Sequence, residues 1–439
     1  MALVGELELQ ELDYTDPDLR GERFHAAMAE LRGAGWLARG PYGYIVLDRD
    51  AAEFFLRSRA ATFPGMKIAE IFGVSEGPLY EQMKRNILHV NGPNHARLRG
   101  LINPALSPRA VERYRPVMRE LLTKLLADAD AAAAAACAEA EQADGAQPGG
   151  GKEVRCEFVD AFAKPFPSQV IATVMGAPLA DAPRLHHWSN WIQRQFDAAS
   201  MAGERDRIEQ AVAEFYEYAE ALLDERRREP GDDLVSKLIA ASYRDDDADP
   251  STPEERLSDS ECINLVFNVL AGGVDTTQSQ LAHAIRLLAE HPEQWRLLAA
   301  DPSLAAAAAE EALRFEPITP FTARITSQEL TYRDVTFPEG TVVMVCTFTG
   351  NRDLTGDEQG HSGPDTFDIA AQRERARALT FGAGVHYCVG ANLARLELTE
   401  ALTFLAERVR ELALDGPPVF ESITGIYGLT ELPLQLTLA

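Results

Sequence analysis

Apolar residues along this chain recur mainly at helical spacing, and the longest such stretches fill its middle. Two short alternating runs come first. GWLARGPYGYIVLD, Gly35 to Asp48, predicts a pair of strands joined by a Gly/Pro turn, and RDAAEFFLRS predicts a helix after them. ALSPRAVERYRPVMRELLTKLL and the alanine tract behind it predict a helix that fades into GAQPGGGK, a low-complexity surface insertion at about 128–152. Ser258 to Glu290 predicts one continuous helix, roughly 50 Å long at 1.5 Å per residue. It opens on a Ser258/Glu261 capping box and is stopped by His291-Pro292. Asp301-Pro302 opens another helix, which runs to EEALRFEP. ITPFTARITSQELTYRDVTFPEGTVVMVCTF has the alternation and turn residues of several short strands. A last helix begins at about Gly390 and continues through ANLARLELTEALTFLAERVREL. The expected fold is mainly α with a small β part near both ends. No repeat or linker divides it, so 1–439 is expected to be a single domain.

Charge and cysteine usage narrow the function classes. Lys and Arg number 42 against 68 Asp and Glu, a formal charge of −26. That sign excludes a nucleic-acid binder and is repelled by acidic membrane surfaces. The N-terminus lacks a basic segment followed by an apolar run, and no stretch of about 20 apolar residues occurs, so neither a signal peptide nor a membrane anchor is expected. Cys137, Cys156, Cys262, Cys346 and Cys388 are odd in number, widely spaced and without a CxxC pair. This argues against a disulfide frame or a structural zinc site and fits a reducing, cytoplasmic setting.

Two stretches break the local rules. In Phe381 to Gly390, FGAGVHYCVG, three glycines and a histidine surround Cys388 just before a helix start. Helix N-termini favour a negative sulfur and lower a thiol pKa. Gly382, Gly384 and Gly390 leave room for something flat to approach the backbone. A nucleophilic cysteine needs a base in reach, and His386, two residues away, points elsewhere. A metal ligand facing a planar cofactor fits better, since haem iron can be held by one Cys thiolate. The second stretch is LAGGVDTTQ, where Gly272 and Gly273 sit at mid-helix at a cost of ~1 kcal/mol each. Such glycines serve either a close ligand or a tight helix crossing. Thr276 can bond its own helix carbonyl and open the ladder.

The cysteine loop resembles that of the cytochrome P450 haem-thiolate enzymes, matching Phe-Gly-x-Gly-x-His-x-Cys-x-Gly at every fixed position. The resemblance extends from about Trp36 to the closing GLTELPLQLTL. It implies the cytochrome P450 fold as a single haem-containing domain, with haem b (iron protoporphyrin IX) bound through Cys388. Phe381, Gly382 and Gly390 would shape the cofactor loop, and His95, Arg99, Arg324 and His386 would hold the propionates. Arg97 points off the His95/Arg99 face toward solvent or a partner. Asp275 and Thr276 would be catalytic, Thr276 holding dioxygen and its proton-delivering water while Asp275 feeds protons from solvent. Glu311 and Arg314 resemble a buried structural pair. The Arg that often completes that network is replaced by Thr366 in Pro364-Asp365-Thr366-Phe367, so another basic residue substitutes or the network has two members.

The implied activity is monooxygenation of a small, moderately apolar organic substrate by dioxygen. The alternatives are a peroxide-driven peroxygenase of the same fold and a non-catalytic haem sensor. By position, Leu270, Val274, Ile318, Phe321, Tyr427 and Trp191 would line the substrate pocket, with the Met66 to Met83 segment and the region of Trp188 and Phe196. Two electrons must come from separate partners, a ferredoxin and its reductase, with Arg373, Arg375 and Arg377 as a candidate basic docking patch. The protein is expected to be a monomer.

Overall fold

A computed structural model describes residues 1–144, 153–241, 257–353, 363–371, 373 and 377–439. Helices form most of the body. Arg115–Asp144, Pro165–Met175, Ala182–Gln193, Arg205–Arg228, Asp259–Gly273, Asp275–Glu290, Ala305–Phe315 and Ala391–Ala406 contribute to one continuous apolar core. Residues 128–144 of the expected insertion continue the helix from Arg115, and 145–152 lie outside the described residues. Among the described residues no helix is long and apolar enough to cross a membrane.

The strands gather into small sheets on the flank of this body. The Gly/Pro turn joins Leu37–Gly40 to Gly43–Val46 as expected, and the second of these pairs in parallel with Val342–Cys346. Val342–Cys346 also pairs antiparallel with Phe321–Thr326, in a register that sets Arg324 opposite Val343. The final helix is shorter than its sequence pattern suggests. It ends at Ala406, and Val409–Leu414 becomes a strand. That segment pairs with Pro433–Leu438, which in turn pairs with Glu153–Glu157. A β-branched start and a long-range partner override the helical periodicity.

The expected 258–290 helix is two helices. Asp259–Gly273 and Asp275–Glu290 meet at Val274, whose φ −92° and ψ −70° interrupt the ladder. The capping box forms as read: Glu261 N donates to Ser258 Oγ at 3.3 Å and Ser258 N to Glu261 Oε2 at 2.9 Å. Glu261 also pairs with Arg97, which is therefore tied to this helix start rather than facing a partner.

Glu311 and Arg314 form a buried bidentate pair, with both contacts at 2.7 Å. A third member is present. Arg373 Nη2 donates to Glu311 Oε1 at 3.1 Å, and its side chain is 4% exposed. Thr366 takes part through its carbonyl, which accepts from Arg314 and Arg373. The Asp368 amide donates to Glu311 at 3.0 Å. The helix Ala305–Phe315 is thereby fixed to the segment that leads into the cysteine loop. Arg373 accordingly leaves the proposed docking patch, because its charge is consumed inside. Arg377 is exposed, and Arg375 lies outside the described residues.

Removing one partner of a buried ion network leaves charge uncompensated. Arg373→Ala is expected to cost about 2–3 kcal/mol in urea denaturation. Thr366→Ala, which keeps the accepting carbonyl, is expected to stay within about 0.5 kcal/mol of the parent.

Candidate functional site

Two glycines with left-handed backbone shape the Cys388 loop. Gly382 has φ 69° and Gly384 φ 73°, conformations that cost a side chain dearly. A Cβ on Gly384 would lie 2.5 Å from the Leu56 carbonyl oxygen. That glycine seats the loop on helix Arg49–Arg57 rather than making room for a flat group, as the sequence suggested. Gly382, Phe381 and Gly390 do border the cavity. Cys388 N donates to Phe381 O at 2.9 Å, closing the loop, and helix Ala391–Ala406 starts directly after Gly390. Burial pushes the Cys388 thiol up, while the backbone N–H groups of Gly390 and Ala391 and the charges of Arg99 and Arg395 pull it back in part. The helix start alone therefore does not make a thiolate cheap. Desolvation wins until a cation sits on the sulfur.

The cavity above this sulfur has a volume of about 470 Å³ and a mostly apolar wall. His95, Arg99, Arg324 and His386, far apart in the chain, all border it. The His95 and His386 rings lie 4.2 Å apart, and His386 Nε2 is 2.9 Å from Asn91 Oδ1. Arg99 donates to Tyr387 O at 2.7 Å, and Arg324 donates to Ala323 O at 2.8 Å. Arg324 is 2% exposed, and burial alone pulls its guanidinium down to about 10. No carboxylate of the described residues offsets that cost. An isolated buried cation costs several kcal/mol, so this wall carries a positive charge that no carboxylate of the described residues neutralises.

The helix break forms the opposite wall. Thr276 Oγ1 donates to Gly272 O at 2.6 Å, taking the carbonyl that an unbroken ladder would use. The two glycines divide the two readings between them. A Cβ on Gly272 would meet nothing within 4 Å, so this position opens on the cavity. A Cβ on Gly273 would lie 2.5 Å from Ile171 Cδ1, so that position is a helix crossing as well as part of the cavity wall. Asp275 faces away from the cavity lining and is buried. Asn190 Nδ2 donates to its Oδ1 at 3.3 Å. Burial pushes the Asp275 carboxyl up to about 6, against the Asn190 hydrogen bond and the charges of Arg194 and Lys164.

The sequence matches the description Cytochrome P450 over residues 44–300 and 302–418. The chain belongs to the cytochrome P450 family. It is 31% identical over 432 residues to luteothin monooxygenase of Streptomyces thioluteus, spanning 98% of this chain and 96% of that one. It is 30% identical to erythromycin C-12 hydroxylase of Saccharopolyspora erythraea, over 85% of this chain and 84% of the relative. Its fold superposes on the crystal structure of CalO2 with a TM-score of 0.82 and 28% identity, covering 98% of this chain and 99% of CalO2. The family carries a haem-thiolate iron, and these relatives are monooxygenases and hydroxylases.

In this P450 the cavity wall includes some of the residues expected at the substrate pocket and not others. Ile318 and Phe321 line the cavity, as do Ile68 and Phe72 of the Met66 to Met83 segment, and Phe196. Leu270 and Val274 are fully buried on the core side of their helix. Tyr427 packs against Phe24 and Phe420, and its hydroxyl accepts from Gly21 N at 3.0 Å. Trp191 lies beneath Arg194 and Arg207, and Trp188 donates to Glu214. Helical periodicity marks which residues are apolar, not which side of a helix meets a cavity.

Two lining residues escaped the sequence reading. Glu397, on helix Ala391–Ala406, borders the cavity with both carboxylate oxygens unpartnered among the described residues, and burial pushes its carboxyl well up. Gln195 donates through Nε2 to Ile192 O at 2.8 Å and leaves Oε1 unpartnered at the wall. A glutamate in a helix and a glutamine after one carry no signal of either fate.

Asp275 gives a pH test. Its folded pKa lies above the ordinary 3.8, so the folded protein holds this proton more tightly than the unfolded chain. The resulting stabilisation is complete below about 3.8 and is lost as pH rises through about 6. Asp275→Asn, neutral throughout, is expected to gain stability over the parent by roughly 2 kcal/mol between pH 4 and pH 8 in denaturant titrations.

Proposed function

We propose that this P450 is a haem b monooxygenase in which Cys388 ligates the iron and His95, Arg99, Arg324 and His386 receive the propionates. One observation carries the reading. A half-buried thiol at a helix start opens on a cavity shared with cationic side chains, of which Arg324 is buried with no acid to offset it. The residues fit the group. The loop supplies one soft ligand with backbone donors behind it, and the arginines supply forks suited to carboxylates. When bound, the haem supplies oxygen activation, with the thiolate favouring O–O cleavage.

The chain's own residues do the rest. Arg99 and Arg324 fix the edge of the cofactor. Gly272, lacking a side chain, keeps space beside the broken helix, and Thr276 presents a hydroxyl there whose proton is engaged by the Gly272 carbonyl. Thr276 Oγ therefore has a lone pair free to orient a water toward the reacting site. Asp275, one residue earlier, points to Asn190 rather than into the cavity, and would pass protons to that water by turning its side chain from Asn190 toward the cavity. Its carboxyl, pushed up to about 6, suits general acid work, which is best served by a pKa near the working pH. The intact Asp275–Thr276 pair favours dioxygen over peroxide as oxidant. Electrons come from a separate ferredoxin and reductase.

The substrate is a neutral organic molecule. Ile68, Phe72, Phe196, Ile318 and Phe321 provide an apolar wall, and Gln195 Oε1 offers one acceptor for a substrate hydroxyl or amide N–H.

Reduced, haem-loaded protein under carbon monoxide is expected to show the strongly red-shifted Soret band of thiolate ligation, and Cys388→Ala to lose it. A band that persists in the variant would remove Cys388 as the ligand. With a substrate found by spin-state shift, Thr276→Ala is expected to consume reductant at a similar rate while releasing peroxide, with product per reductant falling about tenfold. Unchanged coupling would take Thr276 out of proton handling.

A further inference from the structure

The loop after strand Val419–Phe420 carries a second buried acid toward Asp275. Glu421 N donates to Gly428 O at 3.0 Å, which closes the base of a hairpin whose tip, Ile423 to Ile426, borders the cavity. At that base three positions converge. A Cβ on Gly428 would lie 2.5 Å from Glu421 Oε2 and 2.6 Å from Ser279 Oγ. The absence of a side chain on Gly428 leaves room for both oxygens beside it. Ser279 is 1% exposed, and its hydroxyl has no hydrogen-bond partner among the described residues. It lies four residues after Asp275 on helix Asp275–Glu290, so the two side chains share a face one turn apart. Glu421 itself is half-buried and keeps contact with solvent, whereas Asp275 is 4% exposed.

We propose that Glu421 supplies protons from solvent to Asp275 through the Ser279 hydroxyl. The Ser279 hydroxyl, without a partner at rest among the described residues, turns between the two acids: its oxygen takes the Glu421 proton as its own proton moves to the Asp275 carboxylate, and the Glu421 carboxylate then takes a new proton from water. No electron moves, and the hydroxyl ends as it began. The surroundings suit the task. Burial, chiefly, pushes Glu421 up to about 7, with the negative Asp275 adding to the rise. Arg194 and Lys164 pull it down, and Asp197 raises it again. Burial likewise raises Asp275 to about 6, so both carboxyls exchange protons near neutral pH. The neighbouring groups are themselves held in place. Asn190 bridges Arg194 and Asp275, and Thr424 Oγ1 of the same hairpin donates to Asp197, the cap of helix Ala198–Gly203. Nothing in the linear sequence relates Glu421 to Asp275, which lie 146 positions apart.

This inference rests on the reading that Asp275 handles protons, and the test separates the two. The haem-loaded, carbon monoxide-bound protein is titrated from pH 5 to pH 8 by infrared difference spectroscopy in H₂O and D₂O. Two protonated-carboxyl bands are expected. Glu421→Gln should remove the one with the higher midpoint and move the Asp275 midpoint down, because a neighbouring negative charge is gone. NADPH oxidation with a plant-type ferredoxin and its reductase is followed in parallel. Glu421→Gln is expected to slow it about tenfold at pH 7, raise its solvent isotope effect and remove a limb near pH 7 from the profile. Ser279→Ala should do the same, and Glu421→Asp should restore part of the rate. In the Asp275→Asn background Glu421→Gln should add nothing. If Asp275→Asn slows turnover while Glu421→Gln leaves rate, isotope effect and the Asp275 midpoint unchanged, or if the two effects multiply, the Glu421 route is wrong. If Asp275→Asn itself leaves turnover unchanged, the reading beneath it has failed. An unaltered carbon monoxide Soret band in each variant shows that the fold is intact.

Discussion

A guanidinium buried without a carboxylate is costly, and this chain sets Arg324 in that position on the wall of the cavity that contains Cys388. The rest of the site follows from that constraint. Arg99 faces the same cavity and loses charge stability to burial, with Cys388 the group that offsets it. The thiol is itself pushed up by burial. A buried cation lacking an acid and a thiol that its neighbouring arginines only partly offset are complementary deficits, of the kind the family's haem-thiolate iron answers.

Two buried carboxylates elsewhere are balanced by the chain itself. Glu311 is held by Arg314, Arg373 and the Asp368 amide. Glu316, fully buried, is held by Arg286 at 2.9 Å and His25 at 3.0 Å. The contrast gives the cavity its meaning: networks closed by the chain's own residues fix helices to one another, whereas the open one marks where something else binds. The Glu311 network also explains how the cysteine loop stays in place, since it anchors the segment just before it to the helix Ala305–Phe315. Asn351 adds a second tie, accepting from Leu379 N at 2.6 Å.

The break at Val274 divides labour along one helix. On the cavity side lie Gly272 and Thr276. On the far side Asp275 and Ser279 meet the Asn190–Arg194 pair and the C-terminal hairpin. A straight helix could not present an alcohol to the cavity and turn the adjacent acid into a separate polar pocket while freeing the Gly272 carbonyl. The cost of two mid-helix glycines is thus met by two different functions, one of space and one of packing.

Local chemistry decided much of this in advance. The capping box at Ser258, the first strand pair and the Glu311–Arg314 pair each depend on residues within a dozen positions of one another. Their meaning is written in spacing, and they formed as read. The pocket depended on more distant relations. Leu270 and Tyr427 are apolar at the right places in the chain, yet they turned toward the core, because burial alone does not distinguish a packed interior from a lined cavity. Arg373 looked like a surface charge until Glu311, 62 positions away, claimed it. The last helix stopped at Ala406 because Pro433–Leu438 offered a strand partner. Sequence periodicity records which side of an element is apolar. Only tertiary packing decides what that side faces, because the free energy of a buried charge or an unpaired strand is set by partners that the linear order does not name.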